Sequence, residues 1–203
     1  MTEAEWLMAT DPIPLLEFLR DRASDRKLRL FALACSRRAL SHGRIAWTVS
    51  AIEANEQYAD EQVSTDSTNR DSDFVTLAIE TARQFADTEA WNTVVNAANP
   101  DYAVEIATQN AARAAEGVAH CDLVRELFGN PFHSISHDPA WRTEAVVGLA
   151  AGVYADRAFD RLPVLADALE DAGCADADIL THCRGPGPHV RGCWVVDLLL
   201  GKS

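Results

Sequence analysis

The sequence predicts an all-α protein with seven to ten helices. Apolar residues recur at helical spacing through most of the chain. Cap-and-proline pairs such as Asp11-Pro12 and Asp138-Pro139 mark helix starts, and no pair of alternating strands joined by a hairpin turn occurs. The 203 residues, 48% of them hydrophobic, are enough to form one hydrophobic core without disulfides or metal ions to stabilise it. We therefore expect a single globular helical domain over residues 1–203.

Three helices are expected in the N-terminal part of the chain. Thr2 and Glu5 have the spacing of a capping box, which predicts a first short helix. Asp11 is the expected cap of a second helix. Ser24 is the expected cap of a third helix that runs to about His42. The second helix has one apolar face, formed by Leu15, Leu16 and Leu19.

The central region contains a polar break between helical segments. A helical stripe continues to Val63, and the polar, aperiodic residues 64–73 predict a flexible loop. Helical periodicity resumes over residues 74–98. A long alanine-rich helix is expected over residues 101–128, ended by Gly129 and Pro131. Its predicted inner stripe consists of Ala103, Ala107, Ala111, Ala114 and Val118.

The C-terminal part is expected to form short helices around a rigid turn. Apolar stripes over residues 146–153 and 162–169 predict two helices, and Asp176 is positioned to cap another. The sequence Gly-Pro-Gly-Pro at 185–188 ends that helix. Residues 193–200 are predicted to be a buried last helix, although their first four residues would also suit a strand.

The net charge of −13 argues against two classes of partner. General nucleic-acid binding relies on cationic side chains that neutralise phosphates, and docking on an anionic membrane has the same requirement. No stretch has the length of a membrane span, and the acidic start lacks the apolar run of a signal peptide. Five cysteines, an odd number, suit reduced thiols, so a cytoplasmic protein is expected.

Residues 1–44 differ in charge from the rest of the chain. They carry a formal charge of +2, whereas the remainder carries −15. The favoured interpretation is that this basic layer packs against the acidic body. The alternative is a basic patch for an anionic partner. The third helix carries leucines within its basic face, and this face is the candidate surface for a protein partner or for self-association. The candidate interaction residues are Arg26, Arg29, Leu30, Leu33, Arg37 and Arg38.

The segment 171–201 concentrates cysteine and histidine. Four of its side chains would complete a zinc tetrahedron: Cys174, Cys183, His189 and Cys193. Their spacings of 8, 5 and 3 intervening residues include no compact C-x2-C knuckle. His182 and Cys183 project about 100° apart on a helix, so they are not expected to share one ion. The favoured interpretation is that these cysteines pack as small hydrophobic residues beside Trp194.

Catalytic chemistry is a second interpretation of the same segment. A cysteine with His182 or His189 as its base would form a thiol nucleophile, but Cys183 lies near a predicted helix C-terminus, where the dipole disfavours a thiolate. His133 and His137 lie in a proline-flanked stretch that predicts a loop. Phosphate loops, the GxSxG elbow, HExxH and EF-hand patterns do not occur.

These observations favour a non-catalytic module that binds a protein partner or self-associates, without a cofactor. The alternative is a metal-dependent or thiol-dependent enzyme with its site in the C-terminal segment, in which zinc would be the metal.

Several blocks of the chain resemble one protein family. They begin with TEAEWL at Thr2 and SDRKLRLFA at Ser24, and they end with HCRGPGPHVRGCWVVDLLLGK at His182. Further similar blocks begin at Gly129, Asp138 and Tyr154. Together the blocks cover about half of the chain. The chain is similar to a family of uncharacterised bacterial proteins that is abundant in planctomycetes. The resemblance implies no activity, substrate or cofactor.

Overall fold

The computed structural model describes residues 1–41, 49–61, 102–133 and 138–202. Within these ranges the regular structure is entirely helical, with nine α-helices and two short 3-10 turns, which confirms the all-α prediction. The predicted loop 64–73 and the helical segment 74–98 lie outside the described residues. Among the described helices, none combines the length and the apolar character needed to cross a bilayer.

The chain divides into two compact units, residues 1–125 and 126–203, where the sequence predicts one domain. The second unit contains the whole cysteine- and histidine-containing segment 171–201.

The first unit contains four N-terminal helices and most of a long fifth helix. Their bounds are α1 Glu3–Met8, α2 Pro12–Leu19, α3 Asp25–Ser41, α4 Val49–Glu61 and α5 Tyr102–Phe128. The predicted caps are confirmed. Thr2 and Glu5 form the capping box of α1, and Asp11 accepts a hydrogen bond from the Ile13 amide at 3.0 Å. Ser24 Oγ accepts one from the Lys27 amide at 3.3 Å.

The buried face of α5 differs from the predicted stripe. Ala114 and Val118 are exposed, so the alanine stripe is wrong at these positions, and the side chains of residues 103–111 lie outside the described part. The buried side repeats at spacings of three and four residues and uses larger side chains, which remove more apolar surface from water. Its members include His120, Cys121, Val124 and Leu127.

Most basic side chains of α3 form ion pairs or packing contacts within the first unit. Arg26 is buried and donates to Asp60 Oδ1 on α4 at 2.9 Å, and Leu30 is also buried. Arg38 donates to Glu116 Oε1 on α5 at 2.7 Å. A partner surface that includes Arg26 and Leu30 is therefore wrong, because these two side chains pack inside the unit.

The other candidate interaction residues on α3 also have contacts within the unit. Arg37 lies 3.4 Å from Glu56 Oε2, and the Arg29 guanidinium lies 5.7 Å from the Tyr58 ring centroid. Leu33 is half-buried. The favoured interpretation, a basic layer packed within the fold, is supported for α3.

The second unit is a small bundle of four helices. Their bounds are α6 Glu144–Asp156, α7 Leu162–Asp171, α8 Ala177–Arg184 and α9 Trp194–Leu200. Helix α6 packs against α7 and α9, and α8 packs against α7 and α9. The buried core is continuous across them and includes Val146, Val153, Leu165, Leu169, Ile179, Cys183, Val196 and Leu199.

The expected starts of the C-terminal helices are confirmed with one difference. Asp176 caps α8 by accepting from the amides of Asp178 and Ile179, and the last segment is a helix. Asp138 caps a 3-10 turn over Pro139–Trp141, whereas α6 begins later and has Thr143 as its cap.

The ion pair between Arg38 and Glu116 allows a test of the first unit. Replacing Arg38 by Met leaves the buried Glu116 carboxylate without its cation, which should cost about 2 kcal/mol of unfolding free energy. Replacing Glu116 by Gln should have a similar cost. Because both changes remove the same interaction, the double variant should lose less than the sum, as measured by urea unfolding. Additive losses would show that the pair contributes no coupling energy.

Buried His120 predicts an acid-sensitive stability. Burial lowers its pKa to about 4, while the charge of Glu116 acts in the opposite direction. Unfolded histidine binds a proton near pH 6.5 and folded His120 does not, so stability should fall as the pH drops from about 6.5 toward 4. His120→Gln should remove up to about 3 kcal/mol of this pH-dependent loss. Urea unfolding at pH 7.5 and 4.5 measures this loss. An equal drop in unfolding free energy between the two pH values for the wild type and the variant would contradict the prediction.

Candidate metal centre

Four potential ligand side chains converge in the second unit. They are Glu126, His182, His189 and Cys193, and one ligand atom from each lies within 4.8 Å of all the others. Glu126 and Cys193 are buried, and the two imidazoles are nearly so. Among the described residues, this is the group whose side chains could hold a metal ion together.

Helix ends and one turn bring these side chains together. Glu126 lies in the last turn of α5, His182 lies in the last turn of α8, and Cys193 directly precedes α9. The turn over residues 185–188 follows α8, and after it His189 lies beside His182, with ring centroids 5.1 Å apart. The site therefore depends on where three helices end or begin.

Gly129 ends α5 in a backbone conformation that favours glycine. Its φ of +66° is in the left-handed region, and a Cβ there would lie 3.3 Å from ring carbons of Trp194. The Trp194 ring thus packs directly beneath the turn that follows Glu126. This contact places the indole beside the cluster.

Glu126 is the centre of the hydrogen-bond network. Its Oε2 lies 3.1 Å from His189 Nδ1 and 3.3 Å from His182 Nε2, and its Oε1 accepts from the Val190 amide at 3.3 Å. Cys193 Sγ lies 3.1 Å from His182 Nε2. These separations suit hydrogen bonds, and they are also close to the spacing of atoms that share one zinc ion.

Each histidine has a further contact at its other ring nitrogen. Trp194 Nε1 donates to His182 Nδ1 at 3.0 Å, and His189 Nε2 lies 3.1 Å from the Gly185 carbonyl oxygen. A carbonyl oxygen only accepts, so His189 Nε2 carries a proton. An indole N–H only donates, so His182 Nδ1 carries none.

Burial dominates the electrostatics of the cluster. It raises the pKa of Glu126, and it lowers the pKa of His182 to about 3, an effect that the nearby His189 increases. Burial also acts to lower the pKa of His189, but the hydrogen bond and charge of Glu126 outweigh it and raise the pKa. Burial, followed by the charge of Glu126, raises the pKa of Cys193 well above 9.0.

The structure unites two of the four metal ligands predicted from the sequence. His189 and Cys193 belong to the cluster, whereas Cys174 and Cys183 do not and instead lie in the hydrophobic core of the second unit. The expectation that cysteines pack as small hydrophobic residues therefore holds for these two.

Sequence reasoning missed Glu126 and set His182 aside. His182 and Cys183 do point in different directions, as helical geometry predicts, but the histidine faces the cluster. Glu126 lies 63 residues before His189, so spacing did not connect them. The available signal was an acidic residue at helical spacing among the apolar side chains of Leu123, Val124, Leu127 and Phe128.

No cysteine of this chain has the environment of an activated thiol. All five are buried, and burial is the main reason that the pKa of each is raised, to about 12 for Cys121 and Cys183. His182 cannot serve as the base for Cys193, because its Nδ1 accepts from Trp194 and its Nε2 therefore carries the proton. The geometry offers no support for the thiol-dependent enzyme.

The remaining polar candidates of the C-terminal unit have contacts outside the cluster. The His133 imidazole contacts the Asp178 carboxylate, with both side chains exposed, and His137 lies outside the described residues. Arg184 pairs with Glu170 and Asp167, and Arg191 lies 4.4 Å from the Tyr154 ring centroid. None of these contacts involves the four-residue cluster.

No protein-family model matches the chain, and no curated protein or solved structure shows significant similarity to it. The resemblance to the bacterial family stays a prediction.

Native thiol reactivity tests the description of the cysteines. Because all five thiols are buried and have raised pKa values, a thiol reagent at pH 8 should label less than one per chain within minutes, and all five after unfolding in guanidinium. One thiol that reacts rapidly and stoichiometrically in the folded protein would contradict this description.

Proposed function

We propose that the second unit is a metal-binding module, in which the cluster of Glu126, His182, His189 and Cys193 holds one divalent ion of the zinc class. The observation that carries this proposal is the convergence of one carboxylate, two imidazoles and one thiol within 4.8 Å in a buried place. Imidazole and thiolate are the donors that zinc takes in proteins, and a carboxylate oxygen completes many of its sites.

The donor types favour zinc over hard cations. Calcium and magnesium select oxygen ligands, whereas this cluster offers one carboxylate beside nitrogen and sulfur. Cobalt and nickel would also accept this set, and their availability rather than the geometry separates them from zinc. A bound ion would deprotonate the Cys193 thiol, whose raised pKa otherwise keeps it neutral.

The charge balance also supports a cation here. Glu126 is 4% exposed, and its ion-pair partners among the described residues are the two histidines rather than lysine or arginine. A buried carboxylate is costly unless a cation and hydrogen bonds compensate it. A divalent ion would compensate both Glu126 and a Cys193 thiolate.

Neighbouring groups already orient two of the ligands. The Gly185 carbonyl accepts from His189 Nε2, which leaves Nδ1 to face the cluster, and the Val190 amide holds the second oxygen of Glu126. Such outer hydrogen bonds are typical of protein metal sites, where they set the tautomer and the ring orientation.

The competing interpretation is a metal-free network in which protons take the place of the ion. His189 would then be an imidazolium paired with the Glu126 carboxylate, and His182 would be neutral. The partner-binding role and the cytoplasmic location expected from the sequence stay predictions.

Metal analysis of the tag-free, full-length protein tests the proposal. We expect about one zinc per chain by elemental mass spectrometry. Cys193→Ala or His189→Ala should abolish stoichiometric binding, because each removes a ligand. Removing the ion with a chelator should lower the unfolding free energy by about 3–4 kcal/mol when the ion had been at 100 to 1,000 times its Kd.

Cys183→Ala is the matched control. It removes an equally buried thiol from the same unit but lies outside the cluster, so it should keep the metal. A wild-type protein that binds no zinc, cobalt or nickel after reconstitution would overturn the proposal and support the proton network.

A further inference from the structure

The two histidines of the cluster have different environments, and this difference bears on how an ion would be coordinated. Resting on the proposed function, we infer that Glu126, His189 and Cys193 are the protein ligands and that His182 stays outside the coordination shell as a hydrogen-bond donor. The fourth position is then open to water or a small anion.

The Trp194 side chain determines which nitrogen of His182 carries the proton. The indole N–H is a donor and has no acceptor atom, and it lies 3.0 Å from His182 Nδ1. Nδ1 must therefore present its lone pair to the indole. A neutral imidazole has one ring proton, so that proton is on Nε2.

A protonated Nε2 cannot offer a lone pair to a metal ion. It lies 3.1 Å from Cys193 Sγ and 3.3 Å from Glu126 Oε2, where it can donate to either. Ligation through Nε2 would need the proton on Nδ1, which would then face the indole N–H donor to donor. The Trp194 contact therefore favours His182 as a donor to the ligands over His182 as a ligand.

His189 has the opposite arrangement. Its Nε2 donates to the Gly185 carbonyl, so in the neutral ring Nδ1 holds the lone pair, and this atom lies 3.1 Å from Glu126 Oε2. His189 therefore presents a lone pair to the cluster, whereas His182 presents an N–H.

Three protein ligands leave a coordination position unfilled. Closed zinc sites with four protein ligands are structural, whereas sites with three keep a position for water or substrate. The His182 and His189 side chains keep 16% and 10% of their surface exposed, whereas Glu126 and Cys193 are buried. The expected occupant of the fourth position is water or a monodentate anionic oxygen or nitrogen donor.

Cobalt-substituted, full-length protein tests this coordination. Co²⁺ should give visible bands and a thiolate-to-cobalt charge-transfer band, and azide should shift the visible bands. His182→Phe should still bind about one Co²⁺ per chain, with an affinity lower by about 10- to 100-fold because a neighbouring donor is lost. The azide response should remain.

Trp194→Phe is the second variant, because it removes the indole donor and keeps an aromatic ring. His182 is then free to carry its proton on Nδ1 and to bind the ion through Nε2. We expect Co²⁺ to remain bound and the azide response to disappear, since the fourth position is filled by the protein.

The outcomes separate this inference from the proposed function. No Co²⁺ binding by the wild-type protein overturns both. Binding by the wild type with no azide response, or loss of stoichiometric binding in a folded His182→Phe variant, overturns the open position alone. If that variant does not fold, nitrogen NMR of the zinc-loaded wild-type protein decides: a proton on His182 Nε2 supports the inference, and a proton on Nδ1 overturns it.

Discussion

The burial of the Glu126 carboxylate is the constraint on which the C-terminal unit depends. A carboxylate with 4% exposure needs compensation, and here it comes from two imidazoles and a backbone amide. All three partners follow α8 or belong to its last turn. The turn over residues 185–188 and the end of α5 must therefore keep their positions for the carboxylate to stay satisfied.

Trp194 connects packing with chemistry in this unit. Its ring lies against Gly129, which ends the helix that carries Glu126, and its N–H donates to His182. One side chain thus fills the space beneath a helix end and also sets the tautomer of a histidine. The two histidines therefore differ in whether a proton or a lone pair faces the cluster. That difference would decide which of them binds an ion.

The first unit handles buried charge in a different way. Arg26 with Asp60 and Arg38 with Glu116 are paired side chain to side chain between helices, so each charge has an opposite partner. Such pairs contribute little net stability compared with apolar residues, but removing one partner is costly. Arg26 is thus an internal packing group, whereas the Arg37 and Arg38 side chains keep 31% and 38% of their surface exposed while pairing within the unit.

The sequence by itself determined the helical class, the caps of α1, α2 and α8, and the burial of the last helix, because these depend on local spacing and on the capping preferences of single residues. It also located two of the four cluster residues, His189 and Cys193, because they lie near each other in the chain. Only the tertiary structure decided that Glu126 and His182 complete the cluster while Cys174 and Cys183 enter the core. The physical reason is that helix ends from distant parts of the chain meet there, and local spacing and periodicity do not encode which distant helix ends lie beside each other.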